Sequence, residues 1–589
     1  MRLFLRLLVL CVTLAALATG GYLAWHLWAF GRTPWRRPDV LLVTIDTLRA
    51  DHLSPYEPKR SRTPTTARLA QAGTVFRNCL SAIPITLPSH ASLFSGRMPH
   101  RLKLFDNTQP YTESAQLLAE RFAAAGYRTG AFISLGVLKR SFHLDRGFQT
   151  YDDRFPSDRD RWYRLAEEIT TAASRWLERS RAGRPNFLWV HYSDPHEPYA
   201  LVDDPPDTFL YLNGEKLADL HLARKELTPL RFEPRPGINT LRFEFNPAML
   251  LRRDRLGRPG AKPHFAYLDQ LQLLLPSGPL ELEPGAEWSS QQVELRKGAV
   301  ERLRMRESAT VRFTVPAAGA ERAVLVLKGG IYQSLAQIRR RYRGEVEYWD
   351  TQLSGLLDAL ERSGRRSQTL IVLTADHGEG LGQHQLIGHV DQLYDTLLRV
   401  PLIVVDPFRA GRMPPQVESM VRLVDVAPTV LDLTGLPPLP ATDGRSLVPL
   451  LRGHSMRQRL PEVSFAATFA PEAAEDLFAA RSAAWKLIYA PERGACELYD
   501  LRADPTERKN VFAAARRNDE VRALERKLAE YVLKVARVER DSRPVSDETR
   551  AILRSLGYAH APDPPGTAHD GDTDRTRAGG LRDRSLCPP

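Results

Sequence analysis

Two short apolar runs constrain the fold of this chain more than anything else in it. Val40–Ile45 is uncharged, rich in β-branched residues and followed at once by Asp46, and Thr369–Thr374 has the same character and runs into Ala375-Asp376. Runs of this length without polar alternation predict strands covered on both faces, as in parallel sheets. Around them, Thr65–Ala72, Ser89–Ser95 after Pro88, Ser114–Ala125, Arg161–Ser180 and Ile331–Arg362 carry helical patterns, while Gly130–Ser134 and Phe187–His191 read as further strands. This alternation predicts an α/β domain with a mostly parallel sheet and helices on both faces. Sites in such sheets form beyond the C-terminal strand ends, where Asp46 and Asp376 both stand.

Residues 205–330 break that rhythm. Asn213-Gly214 between Leu210–Leu212 and Glu215–Leu217 is a hairpin signal, and Leu241–Phe245 alternates apolar with polar. Leu271–Leu275, Ala309–Val315 and Ala323–Leu327 are further short strands, so an antiparallel β-sandwich inserted into the α/β domain is expected. Its tract Pro236–Phe243 is similar to carbohydrate-binding jelly rolls. Residues 401–510 return to α/β character, and Asn518–Val535 is an amphipathic helix. The expected division is an anchor or signal segment at 1–37, α/β parts at 38–204 and 331–515, the sandwich at 205–330, a helical segment at 516–559 and a disordered tail at 560–589.

Hydrophobic residues make up 43% and charged residues 26% of the 589, which excludes a mainly disordered protein. The net charge of +12 comes from arginines scattered among acids with no nucleic-acid motif, so no nucleic-acid partner is expected. Leu7–Phe30 carries no formal charge and is flanked by Arg2, Arg6, Arg32, Arg36 and Arg37. Its 24 residues would span about 36 Å as a helix, enough to cross a bilayer. A cleaved signal peptide processed at Ala16-Leu17-Ala18 is the alternative. Either reading places the rest of the chain outside the cytoplasm, on the periplasmic or extracellular face. The favoured one is a single N-terminal transmembrane helix, because apolarity continues past Ala18. Of four cysteines, only Cys79 and Cys496 look like folded-domain residues; they could pair, though two buried thiols is the preferred reading.

Distant segments carry oxygen and nitrogen ligands at strand or helix ends. They are Asp46, Ile85-Thr86-Leu87-Pro88-Ser89-His90, Asp194-Pro195-His196 and Thr374-Ala375-Asp376-His377-Gly378-Glu379, with His389 thirteen residues past Asp376. Singly, each has a plain reading: an Asp after a strand caps a helix, Thr86 and Asn107 are turn residues, and His196 and His384 are loop or structural histidines. Their joint order resembles the sulfatase family of the alkaline-phosphatase superfamily. So do Tyr342–Tyr348, Leu423–Thr429 and Trp485-Lys486-Leu487 through Leu498–Leu501. The resemblance runs from about Val40 to Asn510, the sandwich excepted.

That resemblance implies a sulfatase-like α/β fold and a hydrolase acting on ester bonds of a small molecule or glycan. It implies one divalent ion, manganese, zinc or calcium, held by Asp46, Asp376 and His377 together with Thr86, which occupies the nucleophile position. Asn107, His196 and His389 match positions that contact the transferred group in phosphonate monoester hydrolases, and His90 falls on the family's signature arginine. A cation on a hydroxyl oxygen lowers its pKa, and a following helix offers its positive end to an anion.

The chain departs from the family in a consistent direction. Threonine cannot give the aldehyde that typical sulfatases make from cysteine or serine, so no formylglycine is expected. The usual second aspartate is Thr47, and a lysine and a histidine of the family fall on Phe132 and Ser134. A sulfated threonine has no aldehyde to collapse to, whereas a phosphothreonine can be displaced at phosphorus. The first expectation is therefore phosphate or phosphonate ester hydrolysis through Thr86. The alternatives are a true sulfatase acting on sulfated glycans, a membrane-anchored phosphotransferase, and a non-catalytic glycan-binding protein. Oligomeric state is not legible.

Overall fold

The computed structural model describes residues 37–555, apart from short stretches and a longer one at 247–265, together with residues 586 and 587. All but the last residue of the expected membrane segment at 1–37, and most of the expected tail, lie outside the described residues. Among the described residues, no helix is long and apolar enough to cross a membrane.

An eight-stranded sheet organises the α/β part. Its order is Gln416–Arg422, Thr74–Leu80, Arg399–Val405, Thr369–Ala375, Asp39–Ile45, Asn186–Tyr192, Arg128–Phe132 and Thr150–Asp152. The two apolar runs are neighbours at its centre, paired in parallel so that Ile45 lies opposite Ala375, and Asn186–Tyr192 flanks them in parallel on the other side. Every residue of these three strands is buried, which explains the missing alternation. Asp46, Asp376 and the end of Asn186–Tyr192 therefore emerge side by side.

The sheet is mixed rather than uniformly parallel. Arg399–Val405 runs antiparallel to both Thr369–Ala375 and Thr74–Leu80. Its apolar run is indistinguishable from a parallel strand because it too is buried on both faces. The helix Leu335–Arg362 sends Asp350 to cap its neighbour Pro64–Ala72. Asp350 accepts from Thr65 N and Thr66 N, both at 2.8 Å, in place of a side-chain cap at Thr63.

The described strands between positions 208 and 331 form two antiparallel sheets that share one apolar core, including Leu210, Phe243, Leu273 and Leu325. The Asn213-Gly214 turn joins Thr208–Leu212 to Glu215–Leu220, with positive φ at both turn residues, as the hairpin signal requires. A four-stranded sheet of Ser464–Thr468, Leu477–Arg481, Trp485–Ala490 and Ala495–Asp500 packs with the helix Asp519–Ala536.

The cysteine expectation is corrected here. Cys496 forms a disulfide with Cys587, and among the described residues Cys79 alone is a buried thiol. Leu586 and Cys587 are buried against the sheet–helix core, so this part of the expected disordered tail is anchored.

Candidate functional site

The helix expected at Ser89–Ser95 begins three residues earlier, at Thr86, and all ten of its residues are buried. Thr86 is thus in the first turn, with Ile85 extended before it. Thr86 Oγ1 donates to Asp46 Oδ2 at 3.2 Å and lies 3.4 Å from His377 Nε2. His377 Nε2 is in turn 3.3 Å from Asp376 Oδ2. The ligand atoms of Asp46, Asp376 and His377 all lie within 4.8 Å of one another, and all three residues are buried. The structure thus brings together four residues from three separate segments.

This cluster fits a divalent cation. His377 Nδ1 lies 3.1 Å from Gly378 O, a carbonyl that can only accept. The proton therefore sits on Nδ1, and the Nε2 lone pair faces the carboxylates. Burial, with His389 nearby, lowers the His377 pKa to about 3 and keeps the ring neutral, as a ligand must be. Asp46 Oδ1 and Asp376 Oδ2 are buried without a hydrogen-bond partner. Burial, then the charge of Asp46, pushes the Asp376 carboxyl up. Asp46, which burial alone would raise, is held low, chiefly by the His191 side chain facing it. Two buried carboxylates and an imidazole lone pair converging in this way are stable together only around a cation or a shared proton.

A second layer of imidazoles lies against the first. The His389 ring is 4.6 Å from that of His377 and 5.0 Å from that of His196. Burial would lower the His389 pKa, but Glu379, with Oε1 3.4 Å from Nδ1, raises it overall. Glu379 is held by Tyr199, whose hydroxyl donates to Oε2 at 2.7 Å. Burial lowers the His196 pKa against the pull of Asp46.

Two of the expected site residues turn out to be engaged in the scaffold. His90 lies behind the Thr86 turn, with Nδ1 2.9 Å from Thr86 O and Nε2 3.1 Å from Thr44 Oγ1. Burial lowers its pKa to about 3, so it does not replace the charge of an arginine. Asn107 uses Oδ1 to accept from Leu87 N at 2.9 Å, while its Nδ2 donates to Glu472 Oε1 at 2.8 Å. Pro88 has no N–H, so the helix end offers fewer free amides to an anion than the expectation of an open helix terminus supposed.

Sequence reasoning missed His191 and Glu472 as site neighbours. Glu379 stands in the ligand-bearing tract Thr374–Glu379 but was given no role of its own. Glu472 comes from the loop between two strands of the four-stranded sheet and reaches the site only through the fold.

The site is thus a cluster of acids and imidazoles at the C-terminal ends of the central strands of an α/β sheet, where sites in such folds form. A sulfatase family model matches residues 38–436, more than half of the chain, and the chain belongs to the sulfatase family. A second model, N-sulphoglucosamine sulphohydrolase C-terminal, matches residues 383–534. The choline-sulfatase of Rhizobium meliloti is 24% identical over 520 residues, covering 81% of this chain and 82% of that protein. The solved structure of BT4656 in complex with its substrate D-glucosamine-2-N,6-O-disulfate is similar in fold, with a TM-score of 0.57 at 18% identity, covering 86% of this chain and 100% of that one. The phosphonate monoester hydrolase of Agrobacterium radiobacter gives a TM-score of 0.53 at 20% identity, covering 85% of this chain and 95% of that one.

Proposed function

We propose that this sulfatase-family protein hydrolyses phosphate diesters or phosphonate monoesters through a covalent intermediate on Thr86. The observation that carries the reading is Thr86 Oγ1 in the first turn of a buried helix, 3.2 Å from Asp46 Oδ2 and 3.4 Å from His377 Nε2. Asp46, Asp376, His377 and Thr86 would hold a divalent ion, whose charge lowers the pKa of the hydroxyl. One imidazole among oxygen ligands suits manganese or zinc better than calcium.

Asp46 Oδ2 accepts the hydroxyl proton as Oγ1 attacks phosphorus and the bond to the leaving oxygen breaks. His389 gives the leaving oxygen a proton from the ring nitrogen that faces away from Glu379. Water then attacks the phosphothreonine, His389 takes its proton, and the bond from Thr86 Oγ1 to phosphorus breaks. Oγ1 recovers its proton from Asp46, so every group returns to its starting state. His196 and the second amide hydrogen of Asn107 contact the equatorial oxygens. Phe132, Ser134 and a neutral His90 leave the site poor in cations, which suits a singly charged ester.

A sulfuric ester hydrolase is the second reading, favoured by the names of the relatives and by the disulfated sugar bound to the similar structure. The two are separated by kcat/KM on a chromogenic phosphodiester, phosphonate monoester, phosphomonoester and sulfate, each with manganese, zinc or calcium. The highest value is expected on the diester or the phosphonate. A preference for sulfate overturns the phosphothreonine reading. We further propose that residues 1–37 anchor the chain in a membrane with the catalytic domain outside the cytoplasm. The Cys496–Cys587 disulfide supports an oxidising compartment.

A further inference from the structure

His191 lies in the strand Asn186–Tyr192 opposite Thr44 of the central strand, and its ring is wholly buried beside the acid cluster. Ser134 N donates to His191 Nδ1 at 3.3 Å, and Ser134 Oγ is 3.2 Å from the same atom. A backbone N–H can only donate, so Nδ1 keeps its lone pair and the ring's N–H sits at Nε2. Nε2 makes no hydrogen bond elsewhere and faces Asp46 Oδ2 at 3.7 Å, a charge–dipole contact. The His90 ring, edge-on at 5.0 Å, holds the imidazole from the side.

Asp46 Oδ2 therefore faces two donors, Thr86 Oγ1 and His191 Nε2, while Oδ1 has none. We propose that His191, oriented by Ser134, is a positioning residue that turns Asp46 so that Oδ2 takes the Thr86 proton and Oδ1 is presented to a divalent ion. The proposal rests on the metal-site reading above. It also accounts for Ser134, whose N–H and hydroxyl fix the His191 tautomer, an orienting role that outer residues commonly play around metal ligands.

The test compares His191→Leu, His191→Gln and Ser134→Ala with wild type in the full chain. Manganese, zinc and calcium affinities are measured by calorimetry, folding by thermal melts, and kcat and KM separately. The Gln amide nitrogen reaches close to the position of Nε2 and keeps a donor there. His191→Leu is expected to weaken metal binding about ten- to hundredfold and to lower kcat with KM little changed. His191→Gln is expected to stay within about threefold of wild type, and Ser134→Ala to lose severalfold. Wild-type metal affinity in folded His191→Leu, or equal losses in His191→Leu and His191→Gln, overturns the donor role. If His191→Leu does not fold, His191→Ala takes its place, and wild-type metal affinity in that folded variant overturns the donor role. A wild-type protein that binds none of the three ions overturns the metal-site reading, and the role of His191 with it.

Discussion

Glu472 shows how the fold loads individual residues. Burial raises its pKa to about 8, although Asn107 donates to both of its oxygens. A carboxyl whose folded pKa lies above its unfolded value of about 4.5 contributes stability below that value, which is lost as pH rises through 8. Glu472→Gln removes this titration but sets an amide nitrogen against a donor of Asn107, at a cost of about 1–3 kcal/mol. The melting temperature of the variant should therefore lie below wild type at pH 5, with the gap narrowing toward pH 8. Parallel pH–melting curves for the two proteins would refute this. At this scale, Asp46, Thr86, Asp376 and His377 were legible because each stands at a strand or helix end in an ordered set. Thr47 shows what was not. It replaces an acid in the family pattern and adopts φ 54°, a left-handed conformation that a β-branched residue resists and no local sequence signal announces. Tyr342, from the long helix, holds that turn by donating to Thr47 O at 2.7 Å.

Among the elements, the loop after Thr369–Ala375 decides where His377 points. Gly378 N donates to Leu397 O at 2.7 Å, and a Cβ on Gly378 would lie 2.1 Å from Thr396 O. Backbone this close admits only glycine. Gly378→Ala is expected to cost about 1–3 kcal/mol of stability and to weaken metal binding by displacing the neighbouring His377. Chemical denaturation and metal titration of the variant check both, and a fully stable variant with wild-type affinity would contradict the packing argument. The helix Asp395–Leu398 that supplies Leu397 is pinned from below by Lys486, whose Nζ meets Asp395 Oδ1 at 2.9 Å and Glu507 Oε1 at 2.7 Å in a buried network. Trp485-Lys486-Leu487 was legible as part of the family pattern, but its support of the site loop was not, because that contact joins residues 91 apart. Element type was read well wherever periodicity was strong. The antiparallel direction of Arg399–Val405 escaped because burial on both faces erases the alternation that marks most antiparallel strands.

For the whole molecule, the Cys496–Cys587 disulfide closes a loop across the C-terminal sheet and helix. Cys587 reads as part of a polar tail because nothing around it in sequence is apolar enough to predict burial. In the chain-entropy view, its sequence separation of 91 residues makes the disulfide worth about 4–5 kcal/mol. Reductant, or Cys587→Ser, should lower the melting temperature of the wild-type protein measurably; an unchanged transition would show that the bridge adds nothing to the C-terminal unit. The α/β frame around it was legible from strand–helix alternation, and the sandwich from its hairpin and alternating runs. The measurement that bears most directly on the central claim is the turnover of Thr86→Ala beside wild type on the preferred ester, in saturating metal. Loss of kcat by about a thousandfold or more, in a variant that melts like wild type, is the expected result for removal of a nucleophile. Turnover within about tenfold of wild type would mean that the covalent step does not pass through Thr86.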